Sequence, residues 1–256
     1  MRFALELFGA AFAASIFGSM VGLGGGFVLV PILRLFLGFS PADTAGTSLV
    51  LIVANSASSA FTYLLHRRVH LKIGLLIALG GLPSSIIGAI LSLHISARLF
   101  DALLATLLVV IAVDMASNAE KRTAGRHEIR SVHELKGMSY RGALALGFVA
   151  GIFLSLFGVG GGTVLVPAFL YFSELPAHAI SATSQFAILL TSTPGLITHA
   201  LQHDVVERDV VPLVAGGLLG GPIGARLSLR LRSPQLLVVV AIALVVAAIT
   251  LVWRQL

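Results

Sequence analysis

The sequence predicts an all-α polytopic membrane protein: two four-segment repeats, the second inverted relative to the first, each a glycine-broken helical hairpin followed by three spans. Three observations predict it. The chain is 57% hydrophobic and only 11% charged, with a mean hydropathy of +1.01, whereas soluble domains carry about a quarter charged residues. Its apolar runs are long enough to cross a hydrocarbon core of about 30 Å, which takes about 20 helical residues. Finally, the chain matches itself at an offset of 136 positions.

The first apolar stretch, residues 3–38, is too long for one straight span. Residues 3–21 make about 28 Å of helix and residues 27–38 about 18 Å more, so the economical arrangement is a long limb, a non-helical turn at Gly22–Gly26, and a half-helix returning to the same surface. Arg2 ahead of an apolar run and the segment AFAAS resemble a signal peptide. The same pattern recurs in mid-chain, however, where no signal could act. Plain spans follow near residues 42–65, 73–93 and 97–117, which completes an N-terminal repeat over residues 1–117.

Residues 118–141 form the one long polar stretch, with six Lys or Arg and three Glu. Basic residues near a span stay on the cytoplasmic side, so this segment reads as a cytoplasmic linker. The C-terminal repeat, residues 142–256, opens on a second over-long stretch broken at Gly158–Gly162 and continues in spans near 177–201, 210–229 and 234–253. GLGGGFVLVP (Gly22–Pro31) lies on GVGGGTVLVP (Gly158–Pro167) with eight of ten residues identical, and GGLPSSIIGAILSL lies on GGLLGGPIGARLSL with nine of fourteen identical. A hairpin plus three spans is an odd number of crossings, which inverts the second repeat, as in many secondary transporters. Inside loops then hold twelve Lys or Arg and outside loops five; a parallel arrangement with full crossings gives the same distribution, and the overshoot of the broken segments favours inversion.

Composition also excludes functions. With no cysteine there is no disulfide framework, thiolate zinc site, iron–sulfur cluster or cysteine nucleophile. The net charge of +6 sits in short inter-span stretches, which argues against a nucleic-acid partner. Neither glycine cluster is followed by the Lys-Ser/Thr of a phosphate loop, and HExxH and GxSxG are missing, so the chain reads as a non-enzyme without cofactor or metal. Its expected partners are a small anion and the lipid bilayer; a homodimer is compatible with the sequence. Arg34, Asp101, Asp114, Glu174 and His199 lie near the ends of apolar runs, where snorkelling to the interface accounts for them. Gly80, Ser84 and Gly88, with Gly216, Gly220 and Gly224, make small-residue stripes suited to close helix packing.

The glycine clusters carry the chemistry. Each begins a half-helix whose first amides lack intrahelical acceptors and whose positive end points into the membrane, and such an end binds anions. The candidate binding residues are therefore Gly24, Gly25 and Gly26 with Gly160, Gly161 and Gly162. Counting down the next span by the length of the half-helix reaches Asn55 and Ser56, with repeat partners Thr191 and Ser192. Thr47, Ser48, Thr183, Ser184 and Gln185 lie shallower, where they line an entry path or hydrogen-bond between helices.

These motifs resemble the TauE/SafE family of sulfite exporters, whose pattern is GxGGGxxxxP near the start of each half and a Thr-Ser pair early in the next span. Here these are Gly22, Gly24, Gly25, Gly26 and Pro31 with Thr47-Ser48, and Gly158, Gly160, Gly161, Gly162 and Pro167 with Thr183-Ser184. The resemblance implies a multi-pass permease of the cell inner membrane that moves sulfite or small organosulfonates by alternating access. The interval from Pro41 to Thr47 is one residue shorter than that from Pro176 to Thr183, so the halves are not exact copies. A membrane scaffold or assembly factor that uses the glycines only for packing is the alternative.

Overall fold

A computed structural model of the chain describes residues 2–106, 109–110, 138–173 and 175–230. Among these residues the architecture is entirely helical: α1 (Arg2–Val21), α2 (Gly26–Leu35), α3 (Pro41–Leu65), α4 (Leu71–Ser92), α5 (described over 97–106 and again at 109–110), α6 (Tyr140–Phe157), α7 (Gly162–Phe172), α8 (Ala177–Leu201) and α9 (Glu207–Ser228). Residues 118–137 of the expected linker and the expected span at 234–253 lie outside the described residues.

Local chemistry places the helix ends. Ser40 caps α3, its Oγ accepting from the Asp43 amide with Pro41 in the first turn, and Ser139 caps α6 through the Gly142 amide. Both positions have the side-chain oxygen that meets an orphan donor. The break between α1 and α2 needs glycine: Gly22, Gly24 and Gly25 have φ of 88°, 88° and 86°, a left-handed region that a Cβ makes costly.

Among the described residues five helices, α1, α3, α4, α6 and α9, are long and apolar enough to cross a membrane. Large apolar side chains such as Phe17, Leu79, Ile87 and Leu219 face outward from them, as a lipid environment requires. The expected span at 177–201 does form a helix of 25 residues, but it is not among these five. Its Ser181, Thr183, Ser184, Gln185, Thr191, Ser192 and His199 turn inward and are buried.

Close backbone approaches fix the directions. A Cβ added at Gly80 would collide with the Leu144 carbonyl, and one at Gly88 would come 2.5 Å from that of Ile152, so α4 and α6 advance together. Gly216 meets Ala11 and Phe12 while Gly224 meets Ile16, and Gly217 meets Ala54 while Gly221 meets Ser58; α1, α3 and α9 therefore run alike. Gly74 meets Phe186 and Gly81 meets Thr191, which aligns α4 with α8. The small-residue stripes are thus the seams where helix backbones touch, the role that small residues have in lipid. One core of Leu23, Phe27, Ile52, Phe157, Val159 and Ile188 joins residues from both halves.

Candidate functional site

The two glycine turns meet each other between α3 and α8. The Cα of Gly160 lies 3.8 Å from the position a Cβ would take on Gly24, with Ile52 and Ile188 on either side at 3.5 and 3.7 Å. These two isoleucines are 136 positions apart, as are Gly24 and Gly160, so a local two-fold relation passes between them. The approach is backbone to backbone. A methyl on Gly26 would strike the Gly158 carbonyl, one on Gly162 the Gly22 carbonyl, and one on Gly160 the Leu23 carbonyl.

Serines clamp the turns reciprocally. Ser48 of α3 donates to the Gly158 carbonyl at 2.8 Å, and its counterpart Ser184 of α8 donates to the Gly22 carbonyl at 2.7 Å. The threonines beside them hold the opposite inter-helix connections: Thr47 Oγ1 accepts from the Val206 amide at 3.1 Å, and Thr183 Oγ1 from the His70 amide at 3.0 Å. The start of α3 therefore lies at the end of α8, and the start of α8 at the end of α3. All four side chains are buried, and each bond satisfies a group that would be costly to bury unpaired.

The second half adds further bonds. Ser181 donates to the Val21 carbonyl at 2.9 Å, and Gln185 Nε2 donates to the Gly18 carbonyl at 2.8 Å. Ser56 donates to Gln185 Oε1 at 2.9 Å, so Ser56 and Gln185 tie α3, α8 and the end of α1 together. Ser181 was not among the residues singled out in the sequence. No local signal marks it, because its repeat counterpart is Ala45.

Asn55, Thr191 and Ser192 are placed otherwise. The turns contact α3 at Ala45, Ser48 and Ile52, all of them before Asn55. The reason lies in the half-helix: α2 has ten residues, about 15 Å of rise, which counts down α3 only to about residue 51. Asn55 sits instead where α3 meets α1 and α9; its Oδ1 accepts from Ser19 at 2.6 Å while its Nδ2 is buried without a partner. Thr191 sits in the equivalent seam of α4, α6 and α8, against Gly81, and its buried Oγ1 likewise lacks a partner. Ser192 turns back on its own helix, 3.4 Å from the Leu189 carbonyl.

The half-helix starts differ. Gly25 caps α2 with φ 86°, whereas Gly161 caps α7 with φ −59° and ψ −17°, an ordinary right-handed conformation. Thr163 Oγ1 donates to the Gly160 carbonyl at 2.9 Å, a bond the first half lacks because Phe27 stands at that position. Both helices present the amides of their first turn toward the paired glycines, and both carry a proline, Pro31 and Pro167, in their interior.

Two residues expected at the interface are buried instead. Arg34 is 7% exposed and holds Asp101 of α5 through Nε at 2.9 Å and Nη2 at 2.6 Å. His199 is wholly buried beside Asp204. Both find partners inside the protein, which replaces the interfacial water that snorkelling would have supplied. Asp114 and Glu174 lie outside the described residues.

The family model "Sulfite exporter TauE/SafE" matches residues 7–251. Among similar proteins, "Probable membrane transporter protein YunE" of Bacillus subtilis (strain 168) is 30% identical over 94% of this chain and 94% of its own length. "Probable membrane transporter protein y4hK" of Sinorhizobium fredii is 30% identical over 84% and 85%, and an archaeal relative, "Probable membrane transporter protein MJ0441" of Methanocaldococcus jannaschii, is 29% identical over 73% and 69%. With its paired glycine turns, its Thr-Ser clamps and a family match across almost its whole length, the chain belongs to the TauE/SafE sulfite exporter family.

Proposed function

We propose that the protein is a secondary transporter of small sulfur oxyanions, sulfite or an organosulfonate, embedded in the inner membrane as an inverted repeat and working by alternating access. One observation carries this reading: two half-helices, α2 and α7, begin at glycine turns that touch each other in the middle of the protein. Their positive ends converge on one region, where transporters bind anionic groups at broken helices. The interlocked turns then represent a closed state, and access on either side requires one half to rock away from the other. Inversion is supported by α1, α3 and α9 running alike while their counterparts α6, α8 and α4 run the opposite way.

The test is protein-dependent flux of labelled sulfite, and separately of labelled methanesulfonate, in reconstituted vesicles. Saturable flux of either, competed by the unlabelled anion, is expected. A folded protein that moves neither anion leaves the scaffold reading, in which backbone packing of the glycines is their whole role. Orientation is tested in the cysteine-free chain by single cysteines at Arg68 and Val206, which label from opposite faces if the halves are inverted and from one face if they are parallel.

A further inference from the structure

His199, near the end of α8, is fully enclosed, and Asp204 in the following connection is 6% exposed. Nδ1 of the imidazole lies 2.9 Å from Asp204 Oδ2, and Nε2 lies 2.9 Å from the Ser155 carbonyl oxygen. A carbonyl can only accept, so these partners assign the Nε2 hydrogen. Nδ1 therefore faces a carboxyl oxygen at hydrogen-bonding distance, and one proton lies between them, on the ring or on the acid. In either form the pair is neutral. Loss of that proton to solvent leaves one negative charge and a neutral imidazole with a single N–H for two acceptors. One of the two bonds must then break, turning a ring lone pair toward either the carboxylate or the carbonyl.

The carbonyl at stake belongs to the last turn of α6, where helical donors run out and positive charge is favoured. Three residues later comes Gly158, the start of the second glycine turn. The first half has the same bond made by different chemistry: Tyr63, the counterpart of His199 at the 136 offset, donates its Oη to the carbonyl of Ser19, the counterpart of Ser155, at 2.8 Å. Each half thus holds the carbonyl ahead of its glycine turn by a side chain from the end of the following long helix. Only the second half does so with an imidazole and a carboxylate that can exchange a proton.

Apart from Asp209, the charged and titratable groups on the surrounding elements are engaged or in solvent. Asp43 at the start of α3, which packs on Asp204 through Gly46, accepts from Ser40 Oγ. Arg34 of α2 and Asp101 of α5 pair with each other beyond the Phe100–Phe157 ring contact. Asp209 of α9 is buried with neither carboxyl oxygen hydrogen-bonded, its nearest charge the Arg208 guanidinium at 3.5 Å, and His203 is exposed. The described part of α6 has Tyr140 and Arg141 only at its other end, and Lys72 of α4 and His178 of α8 likewise lie at the far ends of their helices.

We infer that His199 and Asp204 form a proton-binding site, loaded with one proton while the Gly158–Gly162 turn is seated and emptied when the turn moves, so that anion passage is coupled to proton passage. This rests on the transport reading, and the experiment separates the two. In vesicles, a pH gradient drives accumulation of labelled methanesulfonate, a strong-acid anion that carries no proton itself. Asp204→Asn and His199→Tyr, the second importing the first half's solution, keep equilibrium exchange but lose gradient-driven accumulation by about tenfold, within the range of coupling between sites. Accumulation equal to wild type in Asp204→Asn, or loss of exchange and accumulation together in folded variants, overturns the inference. A second arm needs no substrate. A single cysteine introduced at Leu156 is labelled with maleimide across a pH series, with and without Asp204→Asn, and the ratio of the two rates cancels the thiol's own pH dependence. A rise in that ratio of about fivefold toward alkaline pH is expected, and a constant ratio overturns the inference. Absence of exchange of sulfite and methanesulfonate by the wild type refutes the transport reading alone, because the labelling ratio still decides the proton site.

Discussion

Gly25 and Gly161 occupy the same place in two nearly identical motifs, yet their environments predict opposite responses to alanine. At Gly25 φ is +86° and a new Cβ would stand 3.0 Å from the Ala14 carbonyl oxygen. The left-handed conformation alone costs about 1–3 kcal/mol for a residue with a Cβ, and crowding a backbone oxygen that has no rotamer to yield adds on the order of 1 kcal/mol. At Gly161 φ is −59°, and the nearest atoms, in Ala150, Leu154 and Ile188, lie 3.7 Å away in ordinary contact. There, alanine restricts the unfolded chain without straining the folded one, a gain of about 0.4–1 kcal/mol. The two variants should differ by about 2–5 kcal/mol, which at 2–4 °C per kcal/mol for a chain of this size is a separation of about 5–20 °C in apparent midpoint. The assay is thermal unfolding in detergent followed by the fraction remaining monodisperse, with Gly160→Ala, which meets the Leu23 carbonyl, as a destabilised control. Equal midpoints for Gly25→Ala and Gly161→Ala would refute the reasoning from backbone geometry. Because Gly161→Ala leaves the fold intact, its effect on anion exchange then reads directly on whether the first amides of α7 serve the anion.

Ser48→Ala and Ser184→Ala each leave a buried carbonyl in the opposite turn without its side-chain donor, and each should lower stability by about 1–3 kcal/mol, measured by the same melting assay. Thr47→Val and Thr183→Val keep shape while removing the acceptor for the Val206 and His70 amides; faster hydrogen exchange at 203–206 and 66–70 respectively, with the other connection unchanged, is the expected pattern. Arg34→Met strands Asp101 and should cost about 3 kcal/mol, and Arg34→Met with Asp101→Asn should recover most of it. A double variant as unstable as the single one would mean that the bond from Arg34 to the Phe39 carbonyl, and not the ion pair, is what matters.

Much of the helical framework was legible because it depends on local rules. The span expected at 42–65 is α3 at Pro41–Leu65, announced by a serine cap and a first-turn proline, and the breaks at Gly22–Gly26 and Gly158–Gly162 fall where glycine makes left-handed φ available. Periodicity and hydropathy show which residues face inward but not what they meet. Ser48 and Ser184 reach carbonyls 110 and 162 residues away, and nothing in a linear pattern indicates that the halves clasp each other in this way. Depth counting places Asn55 at the turns by assuming a half-helix of about 18 Å, whereas α2 stops at Leu35 and the non-helical stretch before Ser40 takes up the remainder; Ser56 does reach them, through Gln185. The burial of His199 has no signal in the linear pattern: its counterpart at the 136 offset, Tyr63, also stands near the end of an apolar run, and tyrosine is itself common at a lipid–water boundary.

The repeat also bears on how the transport cycle would be biased. In an inverted pair, exchanging the conformations of the two halves converts an inward-open state into an outward-open one, so identical halves would give the two states equal energy. A preference can arise only from positions where the halves differ. Here those positions gather around the turns: Gln185 and Ser181 bond the first turn where Leu49 and Ala45 cannot bond the second, Thr163 braces the Gly160 carbonyl where Phe27 cannot brace the first turn, and His199 with Asp204 stands where Tyr63 and Arg68 do. The first turn is therefore held by bonds independent of pH, while the carbonyl leading into the second is held by a side chain that can lose its proton. Differences of about 1–3 kcal/mol per bond of this kind are large enough to shift the balance of two states by about tenfold each. On the proposed transport reading, the shared motif builds the pathway, and the few residues outside the symmetry set which of the two states is preferred.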